Sequence, residues 1–149
     1  MIRIHDRRLA GHRHGQAGFT MVELLVVLAI IGLIASIAVP QVLQYLERAR
    51  EDTARVQIGN IQSAFELYYI DNLGYPDPEY GISALATAPP DATRWNGPYL
   101  KNADKLLDPW GNFYTYALDE KNNQVIITSL GSDGRVGGEG TAMDISTEN

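Results

Sequence analysis

The chain contains one unbroken apolar run, Phe19–Val39, and the run carries a single charge, Glu23, near its start. At about 1.5 Å of rise per residue, such a run as a helix crosses the roughly 30 Å hydrocarbon core of a bilayer. A carboxylate inside a membrane-length segment is costly and needs a partner. Before the run stands a basic leader. Its Arg3, Arg7, Arg8 and Arg13 oppose only Asp6, giving +3, so the overall charge of −6 leaves −9 for the remainder. Positive charge next to an apolar run reads as the cytoplasmic flank of a membrane segment.

The acidic remainder argues against a nucleic-acid surface, which needs clustered Lys and Arg. The chain has no cysteine, and its histidines, His5, His12 and His14, all lie in the leader. Without the leader, no His or Cys remains for Ser-His-Asp or Cys-His catalysis or for a zinc site. Only carboxylate-pair chemistry is left, and no two acids have a spacing that argues for it. The reading is of a protein that is not an enzyme, with no catalytic residue.

Gly18 precedes the apolar run, whereas the cleavage site of a secretory signal peptide follows one. A cut after Gly18 leaves the apolar segment on the mature chain. An uncleaved signal anchor is the simpler alternative. The domain reading is a leader over 1–18, a transmembrane helix over 19–39, and a helix continuation with a globular head over 40–149.

Pro40 removes a backbone donor and predicts a kink or interruption of the helix. Beyond it the apolar pattern is amphipathic. Val42, Leu46, Ala49, Thr53 and Val56 form one stripe; Ala54, Ile58, Ile61, Phe65 and Tyr68 form a second. Together these predict a helix from Phe19 to about Ile70, roughly 75–80 Å long. Gly74 and Pro76 end it. A short helix is expected at Gly81–Leu85. A β-hairpin is expected from Phe113–Leu118 and Gln124–Ser129. The last segment, Leu130–Asn149, is glycine-rich and acidic. Asp108-Pro109-Trp110-Gly111 reads as a turn, with Trp110, Trp95 and Tyr99 assigned to packing.

Gly18-Phe19-Thr20-Met21-Val22-Glu23 resembles the processing site of type IV pilin-like proteins. Further pieces follow in order: Tyr69–Pro76, Trp95-Asn96-Gly97-Pro98-Tyr99-Leu100-Lys101, Asp108-Pro109-Trp110-Gly111-Asn112, Ser129–Gly134, Gly137-Gly138-Glu139-Gly140 and Asp144-Ile145. This set closely resembles the major pseudopilin family of the type II secretion system. The resemblance implies an α+β, pilin-like fold: a long N-terminal helix packed on a small antiparallel sheet with a loop-rich C-terminal region. It implies insertion in a bacterial inner membrane as a single pass, with the leader cytoplasmic and the head periplasmic. It implies cleavage after Gly18 and methylation of Phe19 by a prepilin peptidase. It also implies a helical periplasmic homopolymer, the pseudopilus, which drives export of folded proteins across the outer membrane. The implied partners are further copies, minor pseudopilins and an inner-membrane assembly platform.

Glu23 lies one turn after Phe19, where the helix dipole favours a carboxylate by about 0.3–1 kcal/mol. That is too little to offset the several kcal/mol of burying it unpaired. The Phe19 ammonium created by cleavage is a candidate partner, in the same chain or in a neighbouring subunit, where the pair would set assembly register. In the C-terminal loop, composition alone reads as an Asp-Gly turn with a mobile tail. The resemblance implies calcium there, with Asp133 and Asp144 as side-chain ligands and carbonyls near Leu130, Ser132, and Arg135 or Val136. Glu139 is the alternative second acid. Hard oxygen ligands on flexible backbone suit that ion. Competing functions are an adhesive type IV pilin, a DNA-uptake pseudopilin, or an enzyme on a membrane stalk.

Overall fold

The computed structural model describes residues 18–103, 106–119 and 121–148. Apart from Gly18, the leader lies outside the described residues. The chain divides into two compact units at Pro40. The first contains the start of α1, a helix of 52 residues, Met21–Asn72. Here the apolar side chains from Phe19 to Val39 are exposed, and the mean hydropathy of the most apolar window reaches 2.8. A helix that is apolar on all faces with nothing packed on it is built for a lipid or helical neighbourhood.

The helix runs on through Pro40, as the single helix expected from the sequence does; of the kink or interruption expected there, the interruption does not occur. The missing N–H deprives one carbonyl, that of Ser36, of its donor, and the bonds on either side hold the remaining turns. Thr20 caps the helix start: its hydroxyl oxygen accepts the Glu23 N–H at 3.2 Å, and its carbonyl accepts the Leu24 N–H. Threonine before the first turn with glutamate three residues on is a capping signature.

In the second unit, α1 buries Ala54, Ile58, Ile61, Ala64, Phe65 and Tyr68. This matches the second stripe of the sequence. The first stripe stays outside the core: Val42, Leu46, Ala49, Thr53 and Val56 are all exposed. Periodicity defines a face of a helix but not whether the head reaches it. The helix ends at Asn72 with Leu73 in the left-handed region, φ 61°, and the Leu73 N–H bonds the Tyr69 carbonyl at 2.7 Å. Gly81–Leu85 is a short 3-10 helix.

Three antiparallel strands cover the buried face, in the order β1 (Thr115–Asp119), β2 (Gln124–Ser129) and β3 (Ile145–Ser146). Thr115 faces Thr128, Asp119 faces Gln124, and Ser129 faces Ile145. The expected hairpin is therefore present, and β3 adds a strand that the sequence reading did not assign. Alternation along β2 sends Val125, Ile127 and Ser129 inward. The hairpin turn is held by Asp119, which accepts the Lys121 N–H and the Asn122 side-chain amide. The core joins Phe65 to Tyr116, with ring centroids 4.9 Å apart, and Tyr68 to Tyr99 at 5.5 Å.

Tyrosine hydroxyls tie the loops to this core. Tyr116 donates to the Pro76 carbonyl at 2.8 Å, Tyr99 to Asp71 at 2.8 Å, Tyr75 to Glu66 at 3.0 Å, and Tyr114 to Gln57. Burial pushes the Tyr114 and Tyr116 phenols well above their ordinary pKa. Tyr75 is pushed up to about 12, by burial first and then by its bond to Glu66. Trp95 donates its indole N–H to the Ala84 carbonyl at 2.9 Å. Gly97 has to be glycine, since a Cβ there would meet the Trp95 ring at 2.5 Å.

Candidate functional site

At the N-terminal site, Gly18 and Phe19 precede the helix and are exposed, Phe19 by 77%. Space around Gly18 is open. Glu23 sits in the first turn of α1. Among the described residues the ion pair found is Arg50–Glu47, at 2.7 Å. In the uncut chain the nitrogen of Phe19 is an amide, and only a cut after Gly18 would make it a cation. The site therefore offers an exposed, non-helical Gly18–Phe19 bond followed by a capped helix with Glu23 in its first turn. Thr20 was not singled out in the sequence, although Thr20-x-x-Glu23 is the pattern that marks it.

The C-terminal loop leaves β2 at Leu130 and returns at β3. Leu130 is half-buried and flanks a short 3-10 turn, Gly131–Asp133. Ser132 is exposed, and its hydroxyl meets that of Thr141 at 3.3 Å. Asp133 is exposed and accepts the Arg135 N–H at 3.0 Å. Arg135 is exposed, and Val136 is 88% exposed. Asp144 reaches back across the loop and accepts the Gly137 N–H through Oδ2 at 2.9 Å. Its Oδ1 is buried without a hydrogen-bond partner. Glu139 is exposed, and its backbone carbonyl accepts the Ala142 N–H. The loop is closed tightly on itself. A Cβ on Gly131 would lie 2.9 Å from the Ala142 carbonyl carbon, and one on Gly138 would run into the Ala142 oxygen. Among the described residues no three His, Cys, Asp or Glu side chains converge as a metal cluster.

The loop rests on the turn that begins at Asp108. This carboxyl is only 5% exposed. Its Oδ1 accepts the N–H groups of Trp110 at 3.0 Å and Asn112 at 2.8 Å. Its Oδ2 accepts the hydroxyl of fully buried Ser129 at 2.6 Å. The turn expected from the sequence is present, and Trp110 packs as expected against the core. Its indole N–H also donates to Glu47 on α1 at 3.2 Å.

A membrane-length apolar helix, a processing motif at its head and a small antiparallel sheet on its far half define the class of N-terminally methylated, pilin-like subunits. Residues 13–39 match the prokaryotic N-terminal methylation motif. Residues 41–148 match the protein G model of the type II secretion system (T2SS), and the chain belongs to that family. It is 39% identical to the type II secretion system core protein G of Vibrio cholerae, over 90% of this chain and 92% of that one. It is 37% identical to the protein of the same name from Pseudomonas aeruginosa, over 89% and 95%. The fold is similar to a crystal structure of the major pseudopilin from the type 2 secretion system of enterohaemorrhagic Escherichia coli. The TM-score is 0.59 at 25% identity, covering 69% of this chain and 90% of that one. The chain is thus a structural pseudopilin subunit of a type II secretion system, and neither the adhesive pilin nor the DNA-uptake reading is favoured.

Proposed function

We propose that the chain is a precursor cut after Gly18 by a prepilin peptidase and methylated on Phe19. It then assembles with copies of itself into a periplasmic pseudopilus that drives export of folded proteins. It spans the inner membrane once, leader in the cytoplasm and head in the periplasm, and meets minor pseudopilins and an inner-membrane assembly platform. It does no chemistry of its own. The observation that carries this reading is the exposed, non-helical Gly18–Phe19 bond placed directly before a capped apolar helix. Cleavage gives Glu23 a cation one turn away or on the next subunit. In a non-closing, head-to-tail assembly such a pair fixes register. Co-expression with a prepilin peptidase followed by mass determination tests it. A mature chain beginning at methylated Phe19 is expected, and an intact leader refutes it.

Calcium belongs to the same proposal. The donor set fits a hard cation: Asp133, Asp144, and the backbone carbonyls of Leu130, Ser132, and Arg135 or Val136. The buried, unpartnered Oδ1 of Asp144 favours that residue over exposed Glu139. Bound there, the ion would hold the loop closed in a chain with no disulfide, and binding energy would become folding energy. A melting temperature that is the same in millimolar calcium and in chelator removes the site.

A further inference from the structure

Gly131 opens the C-terminal loop, and both polar groups of its backbone are held from outside the loop. Its N–H points to the Ser129 hydroxyl oxygen at 3.4 Å. Its carbonyl accepts the side-chain amide of Asn112 at 2.8 Å. Asn112 is itself fixed on both backbone groups by Asp108. Its N–H donates to Oδ1 at 2.8 Å, and its carbonyl accepts the Asp108 N–H at 2.8 Å. The Asn112 amide also lies where a side chain on Gly134 would have to go, 3.0 Å from an ideal Cβ. One side chain therefore touches both ends of the turn that contains Ser132 and Asp133.

The Asp108–Asn112 turn meets α1 on its other side. The Trp110 N–H shares Oδ1 of Asp108 with Asn112, and its indole is bonded to Glu47. Glu47 uses its other oxygen for Arg50 at 2.7 Å. The far end of the loop reaches that stretch of helix too. Gly140 and Thr141 line a groove of about 320 Å³ with Leu43, Gln44, Glu47, Arg48 and Glu51.

We propose that Asn112 is the positioning residue of the C-terminal loop, and that the Asp108–Asn112 turn relays loop closure through Trp110 to Glu47 on α1. The positioning role stands on the hydrogen bonds alone. The relay rests on the calcium reading above. When the loop opens, Gly131 lets go of Asn112, and the turn loses the support that seats the indole on Glu47. The residues between Leu130 and Asp144 supply the cation ligands, and Asn112 supplies none.

The test uses the full chain in detergent micelles on a Trp95→Phe background, which leaves Trp110 as the one indole. Hydrogen exchange is compared for the parent, Asn112→Ala and Asn112→Asp. The Asp variant keeps the size but replaces the donor to Gly131 with an acceptor. Both variants are expected to exchange roughly tenfold faster over residues 133–144, the loss of about one hydrogen bond, with β1 and β2 unchanged. Exchange equal to the parent overturns the positioning role. So does equal acceleration across the whole head, which is general destabilisation. In a second arm, calcium chloride is titrated while Trp110 emission and binding heat are recorded on the same sample. Emission is expected to change with binding in the parent and to need more calcium in Asn112→Ala. Heat without a change in emission overturns the relay. No heat in the parent defeats both the calcium reading and the relay, and the exchange arm still decides the role of Asn112.

Discussion

Asp108 is the residue whose substitution tests the head's architecture most sharply. Asp108→Ala removes an acceptor from the N–H groups of Trp110 and Asn112 and from the Ser129 hydroxyl. Hydrogen bonds to a charged acceptor contribute about 1.5–3 kcal/mol each by mutation. Three of them would exceed 4 kcal/mol, but relief from burying a carboxylate offsets part of that. A net loss of about 3 kcal/mol is expected, or a fall in melting temperature of roughly 12 °C or more. Asp108→Asn keeps an oxygen for the two backbone donors, and its amide can donate to Ser129, whose hydroxyl then rotates to accept. Its expected cost is about 1 kcal/mol. Ser129→Ala on the Asp108→Ala background should add little, because the bond it would remove is already gone. Near-UV circular dichroism of the full chain in micelles reads the melting. Equal losses for Asn and Ala, or losses within about 0.5 kcal/mol for both, would refute the claim that these three bonds organise the turn.

Glu23→Val should leave processing and membrane insertion intact and abolish filaments; normal filaments by microscopy would sink the register argument. Alkaline pH should unfold the head through its tyrosines. Tyr75, Tyr114 and Tyr116 have folded pKa values above the ordinary value of 10. Their contribution is therefore full below pH 10 and is lost as pH rises toward 12 and beyond. Phenolate absorbance should show these groups ionising above pH 10 together with loss of near-ultraviolet dichroism, and complete titration near pH 10 with the fold intact would contradict it.

The parts legible in sequence were those with local signals. Ala54, Ile58, Ile61, Phe65 and Tyr68 share a helical face, and all are buried. The hairpin announces itself by two β-rich runs around Asp119–Asn123, and the Asp108 turn by its Asp, Pro and Gly. What escaped is non-local. Ile145–Ser146 is a strand only because β2 lies beside it; two residues carry no period. The bond from Asn112 to Gly131 spans 19 positions and leaves no pattern. The exposed Val42 stripe shows the opposite limit, an apolar face whose partner no sequence period can name. At Pro40, local chemistry pointed to a kink or a break, and the helix, bonded on both sides, is not broken.

The cap at Thr20 has a consequence for how the chain matures. Proteases take their substrates extended, and a scissile bond inside a helix must first be unwound. Here the first bonds of α1, from Glu23 and Leu24, end on Thr20 and involve neither Gly18 nor Phe19. Severing the bond between them therefore sacrifices no helical hydrogen bond. Under the proposed cut after Gly18, the first turn of α1 would keep its hydrogen bonds and gain a cation at its start. A cation is disfavoured at the positive end of the helix dipole, and that gives the new terminus a standing reason to seek a carboxylate.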